Sequence, residues 1–92
     1  MIELYYAEDD PNIASIVKEY LEQKHFKVTI CGTLEEVRQK LKIHVPTIIL
    51  LDWNMPDGHG DGLCQWICNV YQFDCFCSCG HDVFFSLQPA SI

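Results

Sequence analysis

The chain has 92 residues, 49% of them hydrophobic and 21% charged, which is typical of one small soluble domain and leaves no room for a second. Its formal net charge of -7 argues against direct nucleic-acid binding, because a phosphate backbone would repel it. Acidic residues interrupt the apolar stretch near the start, so neither a secretion signal nor a membrane span is predicted, and we expect a cytoplasmic protein.

The first strand and helix are predicted from the opening residues. The short apolar segment Ile2–Ala7 predicts a buried strand that ends at Glu8. Asp10 followed by Pro11 supplies a helix N-cap and a residue suited to the first turn, and this helix should end near Lys24. Its predicted core-facing stripe has helical spacing and consists of Ile13, Ile16, Val17, Tyr20 and Leu21.

A second strand and helix follow. Apolar residues alternate with polar ones from Phe26 to Ile30, which predicts a strand that lies at a sheet edge or turns one face to the core. Thr33 and Glu36 have the spacing of a capping box, in which each side chain satisfies a backbone N–H at the helix start. The helix should run to about His44, with an apolar stripe of Leu34, Val37 and Leu41.

The third strand is the most apolar. The continuous run Thr47–Leu51 is typical of a central parallel strand with helices on both faces, and Asp52 follows at its carboxyl end. Residues 53–62 are rich in Pro and Gly and predict a tight loop, after which a third helix continues to about Tyr71. This β-α-β-α-β-α order predicts an α/β fold with a doubly wound parallel sheet and right-handed crossovers.

Three acidic residues follow the first and third strands. Ligands of doubly wound sheets bind at the carboxyl ends of the strands, so Glu8, Asp9 and Asp52 should lie together there. Converging carboxylates repel one another unless they are partly protonated or bind a hard divalent cation, and Mg2+ suits such a set. A carboxylate that attacks a phosphoryl group also needs such a cation. The alternative is that these residues only solubilise strand ends and cap a helix.

Two segments together resemble the receiver domain of bacterial two-component response regulators. They are Tyr6–Ile13 (YAEDDPNI) and Ile48–Gly60 (IILLDWNMPDGHG). The resemblance covers residues 1 to about 70. It combines an acidic pair after the first strand, an Asp that ends the third strand, a Met-Pro shortly beyond it and a Gly before the third helix.

The resemblance implies a flavodoxin-like fold and a phosphorelay function. By position, Asp52 would accept a phosphoryl group from a sensor histidine kinase, and Asp9 would bind Mg2+ directly while Glu8 acts largely through water. Asp52 and the backbone carbonyl of Asn54 would also bind the metal, whereas Asp10 suits an N-cap better than a ligand. Acceptance is self-directed, so no enzyme is predicted; in full-length relatives it would control transcription.

The chain departs from the family in its last part. The family has a Thr or Ser at the end of a fourth strand and a Lys at the end of a fifth; family spacing reaches Asp82 for the hydroxyl and passes Ile92 for the lysine. We therefore expect a partial receiver domain over 1–71, truncated after the third helix, and an irregular, Cys- and Phe-rich tail over 72–92 that arose through a change of reading frame. The third strand would then be an exposed edge.

Two alternatives to a signalling receiver remain open. One is an interaction fragment that does not switch, because the missing strands and helices would carry the output surface and the usual dimer contacts. The other, less favoured, is a metal-binding tail that uses Cys75, Cys77, Cys79 and His81, with Cys64 and Cys68 nearby. Alternating cysteines lack the spacing of a zinc knuckle, and with no secretion signal we expect reduced thiols.

Overall fold

The computed structural model describes residues 2–52, 54–71, 73–78 and 84–89, with Asn54 and the last two ranges described by their backbone alone. The helices are α1 (Pro11–Gln23), α2 (Leu34–Ile43) and α3 (Gly60–Tyr71). The strands are β1 (Ile2–Ala7), β2 (Phe26–Cys31), β3 (Ile48–Asp52), β4 (Asn54–Met55), β5 (Gly58–His59), β6 (Phe73–Ser78) and β7 (Phe84–Pro89). The predicted alternation of strands and helices is confirmed.

The sheet has the order β2-β1-β3-β7-β6. Strand β1 pairs in parallel with β2 on one side and with β3 on the other. The chain therefore moves from β1 to β2 through α1 and then crosses β1 to reach β3 through α2, which is the order of strands in a flavodoxin-like fold. The predicted fold class is confirmed, and the point where strand order reverses lies between β1 and β3.

Helices cover both faces of the parallel strands. Side chains alternate between the faces along β1, so Tyr5 and Ala7 point to one face and Leu4 to the other. On the first face, β1 and β3 pack with α2 and α3 in a cluster that includes Ala7, Val37, Ile49, Leu51 and Ile67. On the second face, the buried Leu4 and Val28 lie outside this cluster, and α1 packs beside β2.

The two predicted helix starts are confirmed in detail. The Asp10 carboxylate accepts hydrogen bonds from the backbone N–H groups of Asn12 (2.9 Å) and Ile13 (3.4 Å) at the start of α1. At the start of α2, the Thr33 hydroxyl accepts the N–H of Glu36 at 3.0 Å. The Glu36 carboxylate accepts a backbone N–H in return, although from Gly32 and not from Thr33. Local spacing was sufficient to locate both caps.

The predicted inner stripe of α1 is wrong for three of its five residues. Ile13, Ile16 and Tyr20 are exposed, and Ile16 retains 68% of its accessible surface. The fully buried position is Ala14, while Val17 and Leu21 are half-buried. Apolar residues occupy more than one face of α1, so their spacing indicated a helix without showing which face meets the sheet.

The tail does not have the predicted irregular backbone over 73–78 and 84–89. These residues form β6 and β7, which pair antiparallel with each other, and β7 also pairs antiparallel with β3. The expectation that β3 would be an exposed edge is therefore wrong, because β7 occupies that edge. A short β-hairpin can satisfy the backbone of an edge strand without the parallel strand that the family places there. The proposed boundary at residue 71 and the origin of the tail stay predictions.

None of the helices in the described ranges is both long and apolar enough to cross a membrane.

Candidate functional site: an acidic pocket beside a fastened loop

Glu8, Asp9 and Asp52 converge at the carboxyl ends of β1 and β3. Each contributes a carboxylate oxygen, and these oxygens all lie within 4.8 Å of one another. Ala7 pairs with Leu51 in the parallel register, so Glu8 and Asp52, which follow them, lie side by side at this end of the sheet. Glu8 is buried, Asp52 is half-buried and Asp9 is exposed. The three residues selected from the sequence therefore form one pocket that opens to solvent at Asp9.

Glu8 is the most constrained of the three. Its carboxylate accepts a hydrogen bond from the Tyr6 hydroxyl at 3.3 Å and another from the backbone N–H of Asp10 at 3.1 Å. Its own backbone N–H donates to the carbonyl of Cys31 at 3.0 Å, which joins the end of β1 to the end of β2. Both carboxylate oxygens are thus already hydrogen-bonded, an arrangement that fits a ligand acting through water better than one binding a cation directly.

The environment of Glu8 disfavours its charge. Burial raises the pKa of Glu8, the hydrogen bond from the Asp10 N–H lowers it, and the neighbouring Asp52 and Asp9 raise it, with a net shift upward. A raised carboxyl pKa means that proton or cation binding relieves the unfavourable energy of the ionised pocket. The donor set consists entirely of carboxylate oxygens, which are the ligands that Mg2+ prefers.

The loop after Asp52 contains a small β-hairpin. Asn54 pairs with His59 and Met55 with Gly58, so β4 and β5 enclose a two-residue turn of Pro56 and Asp57. Gly58 has a φ of 144°, which side-chain-bearing residues rarely adopt, and this explains the Gly at that position. Met55 is buried in the core, so the predicted tight loop contains a short hairpin with one strand anchored in the core.

Asp57 is a residue that the sequence did not single out. Its two carboxylate oxygens accept hydrogen bonds from the backbone N–H groups of Leu34 and Glu35, each at 2.9 Å. Burial opposes its ionisation, but these hydrogen bonds lower the pKa of Asp57 below its ordinary value. The loop that follows Asp52 is therefore tied to the start of α2. The only available signal was an acidic residue in a turn, which does not indicate its partner.

The three cysteines whose side chains the structure describes divide into two groups. Burial raises the pKa of the Cys31 thiol to about 11, so this side chain is an inert member of the core. Cys31 and Cys68 are thiols, but Cys64 is disulfide-bonded, which contradicts the expectation of reduced thiols at that position. The side chains of Cys75, Cys77, Cys79 and His81 lie outside the described residues, so the metal-binding tail stays a prediction.

Comparison with models of protein families identifies the family of this chain. The model of the response regulator receiver domain matches residues 4–82. This chain belongs to that family. The match includes the three residues of the acidic pocket and the hairpin loop beside it. No curated protein sequence that was compared with this receiver matches it significantly.

Solved receiver domains share the fold. The receiver domain of HemR from Leptospira biflexa superposes with a TM-score of 0.73 and 26% identity over 78% of this chain and 58% of its own. The receiver domain of a signal transduction histidine kinase from Syntrophus aciditrophicus superposes with a TM-score of 0.72 and 28% identity over 75% of this chain and 52% of its own. The signal receiver domain of a Luxo repressor protein from Vibrio parahaemolyticus has a TM-score of 0.69 and 24% identity over 74% of this chain and 52% of its own, and it supports the fold alone. The chain spans only 52 to 58% of the first two.

The family places this receiver in two-component signalling. Receiver domains generally interact with histidine kinases and bind Mg2+ at an acidic pocket, and the pocket of this chain has the carboxylate cluster for it.

Proposed function

We propose that this chain accepts a phosphoryl group on Asp52 from the phosphohistidine of a sensor histidine kinase, with Mg2+ held by the acidic pocket. The observation that carries the proposal is the convergence of Glu8, Asp9 and Asp52 within 4.8 Å at the carboxyl ends of β1 and β3. A helix cap or a solubilising acid does not require three carboxylates at one point, and their mutual repulsion makes such a cluster unfavourable without a counter-charge.

Each carboxylate has a distinct part in holding the cation. Asp9 is exposed and offers a direct ligand, and Asp52 contributes from the end of β3, with the backbone carbonyl of Asn54 as a further oxygen. Glu8 already accepts two hydrogen bonds, so it would hold the ion through water. When bound, Mg2+ neutralises charge on the phosphoryl oxygens that approach the pocket.

Asp52 is suited to act as the nucleophile. One of its carboxylate oxygens attacks the phosphorus atom, the phosphorus–nitrogen bond of the phosphohistidine breaks, and the electron pair remains on the imidazole nitrogen of the kinase. The product is an aspartyl phosphate on this chain. The pairing of β3 with both β1 and β7 holds the backbone of Asp52 in place during attack. Since the chain modifies itself, it is an acceptor and not an enzyme.

The setting of this chemistry is also part of the proposal. The net charge of -7 fits a receiver that works in the cytoplasm and leaves DNA contacts to another part of a longer protein. In that arrangement, phosphorylation of Asp52 would control transcription through an attached effector. The similarity to a kinase receiver domain supports a histidine kinase as the phosphoryl donor.

A second candidate function is an interaction module that does not switch. It is favoured by the strand next to β3, because β7 runs antiparallel there and starts beside Asp52. At the family spacing, Asp82 stands in place of the Thr or Ser hydroxyl that reads out phosphorylation. Such a module would bind a kinase or accept the phosphoryl group without changing shape.

Incubation with acetyl phosphate and Mg2+, followed by intact-mass measurement, tests the leading function. We expect one added phosphoryl group that is absent in Asp52→Asn and retained in the matched control Asp61→Asn, which changes an exposed acid in the first turn of α3. An unmodified wild-type chain would refute phosphoryl acceptance. Amide exchange then separates the two candidates, since a switch changes exchange far from Asp52 and a non-switching module does not.

A further inference from the structure

Among the described residues, Met55 and Asp57 each fasten the hairpin after Asp52 to the rest of the domain. Met55 anchors one strand because its side chain is 8% exposed and packs in the core. The turn is anchored by the Asp57 carboxylate at the start of α2, while Pro56, Gly58 and His59 are exposed. A two-stranded hairpin is marginally stable by itself, so both contacts help to fix its position.

The contact from Asp57 is a remote helix cap. Leu34 and Glu35 are the first two residues of α2, and their N–H groups have no partners within the helix. Asp57 satisfies both, although it lies 23 residues beyond Leu34 in the chain. Its negative charge also interacts favourably with the positive end of the helix dipole. One carboxylate therefore fixes the hairpin and the helix relative to each other.

The start of α2 also has a local cap that does not involve the hairpin. The Thr33 hydroxyl accepts the Glu36 N–H at 3.0 Å, and the Glu36 carboxylate accepts the Gly32 N–H at 2.7 Å. The two caps serve different backbone groups of the same helix. Loss of either should destabilise α2, but only loss of Asp57 releases the hairpin. Comparison of variants in the two caps therefore distinguishes an effect on the stability of α2 from an effect on the position of the hairpin.

We propose that Asp57 is a positioning residue for the Mg2+ pocket, acting by holding the hairpin so that the backbone at Asn54 keeps its place beside Asp52. This inference rests on the proposed function, in which the Asn54 carbonyl is a ligand of the ion. Asn54 precedes Met55 in β4, so a hairpin released at its turn would move about the Met55 anchor and displace that carbonyl. Groups that orient metal ligands typically contribute about 10- to 100-fold to metal affinity.

Calorimetric titration of the full chain with MgCl2 tests this role in Asp57→Ala and Thr33→Ala. Both variants should unfold at lower temperature than the wild type in chelator, because each loses a cap of α2. We expect the Mg2+ affinity to fall about tenfold in Asp57→Ala and to stay at the wild-type value in Thr33→Ala. Asp57→Asn, which keeps one acceptor oxygen, should recover part of the loss.

Four results overturn the proposal, and they are distinguishable. An unchanged Mg2+ affinity in Asp57→Ala, or an equal fall in Thr33→Ala, shows that Asp57 is only a helix cap. If Asp57→Ala fails to fold, amide exchange of the wild type decides: Mg2+ should slow exchange at Leu34 and Glu35 by reciprocal coupling, and an unchanged rate refutes the role. A wild-type chain that binds no Mg2+ overturns the proposed function as well.

Discussion

Removing the charge of Asp52 should stabilise the protein in the absence of a divalent cation. One carboxylate oxygen of Glu8 and one of Asp52 lie within 4.8 Å of each other. Two unit charges at that separation repel by ~1 kcal/mol in bulk water and by ~3 kcal/mol at the effective dielectric constant of a protein surface. Because Asp52 is half-buried, we expect Asp52→Asn to raise the free energy of unfolding by about 1 to 2 kcal/mol at pH 8 in chelator.

Urea unfolding followed by circular dichroism measures this effect, with Glu19→Gln as the control for an equal change of net charge on the exposed face of α1. The increase in the free energy of unfolding of Asp52→Asn should become smaller in 1 M salt, because salt screens the repulsion between the carboxylates. Saturating Mg2+ should reverse the order of stability, because binding stabilises the wild type in proportion to its affinity. An Asp52→Asn variant that unfolds at the same or lower urea concentration than the wild type, in chelator and at low salt, would refute the repulsive pocket.

Two further predictions concern Glu8 and the packing of the helices. The pKa of Glu8 is raised in the folded chain, so the native state keeps a proton that the unfolded state loses as the pH rises above 4.5. The free energy of unfolding in chelator should therefore fall as the pH rises through this range. In Glu8→Gln, the urea midpoint should lack this part of its dependence on pH. Ile67→Ala should destabilise the chain by about 2 to 5 kcal/mol because Ile67 is fully buried, whereas Ile16→Ala, on the exposed face of α1, should change stability by less than about 0.5 kcal/mol. Comparable losses in the two variants would contradict the assigned face of α1.

The sequence was most informative where one feature depends on residues close together in the chain. Asp10 before Pro11 located the start of α1, and Thr33 three residues before Glu36 located the start of α2, because a helix cap is a local interaction. The acidic pocket was also predicted, although it joins distant residues. In that case the carboxyl ends of parallel strands meet at one edge, so correct strand assignment was sufficient.

Features that depend on distant partners were missed. Asp57 belongs to a Pro- and Gly-rich turn, and its spacing does not reveal that α2 receives its hydrogen bonds. The buried face of α1 depends on which residues of the sheet it meets, and the apolar residues Ile13, Ile16 and Tyr20 outlined a competing stripe. In the tail, the pairing partner of β7 is β3, which no local pattern in the tail identifies.

The arrangement of strands also has a consequence for the order of folding. Strands β6 and β7 form an antiparallel hairpin from neighbouring residues, whereas β1 and β3 pair across most of the first half of the chain. Pairing of distant segments requires closure of a long loop and is intrinsically slow, while a hairpin forms from local contacts. We therefore expect the β6–β7 hairpin to form before pairing of β1 with β3 brings Glu8 and Asp52 together. The chain would then become able to bind a cation only once it has reached its native strand order.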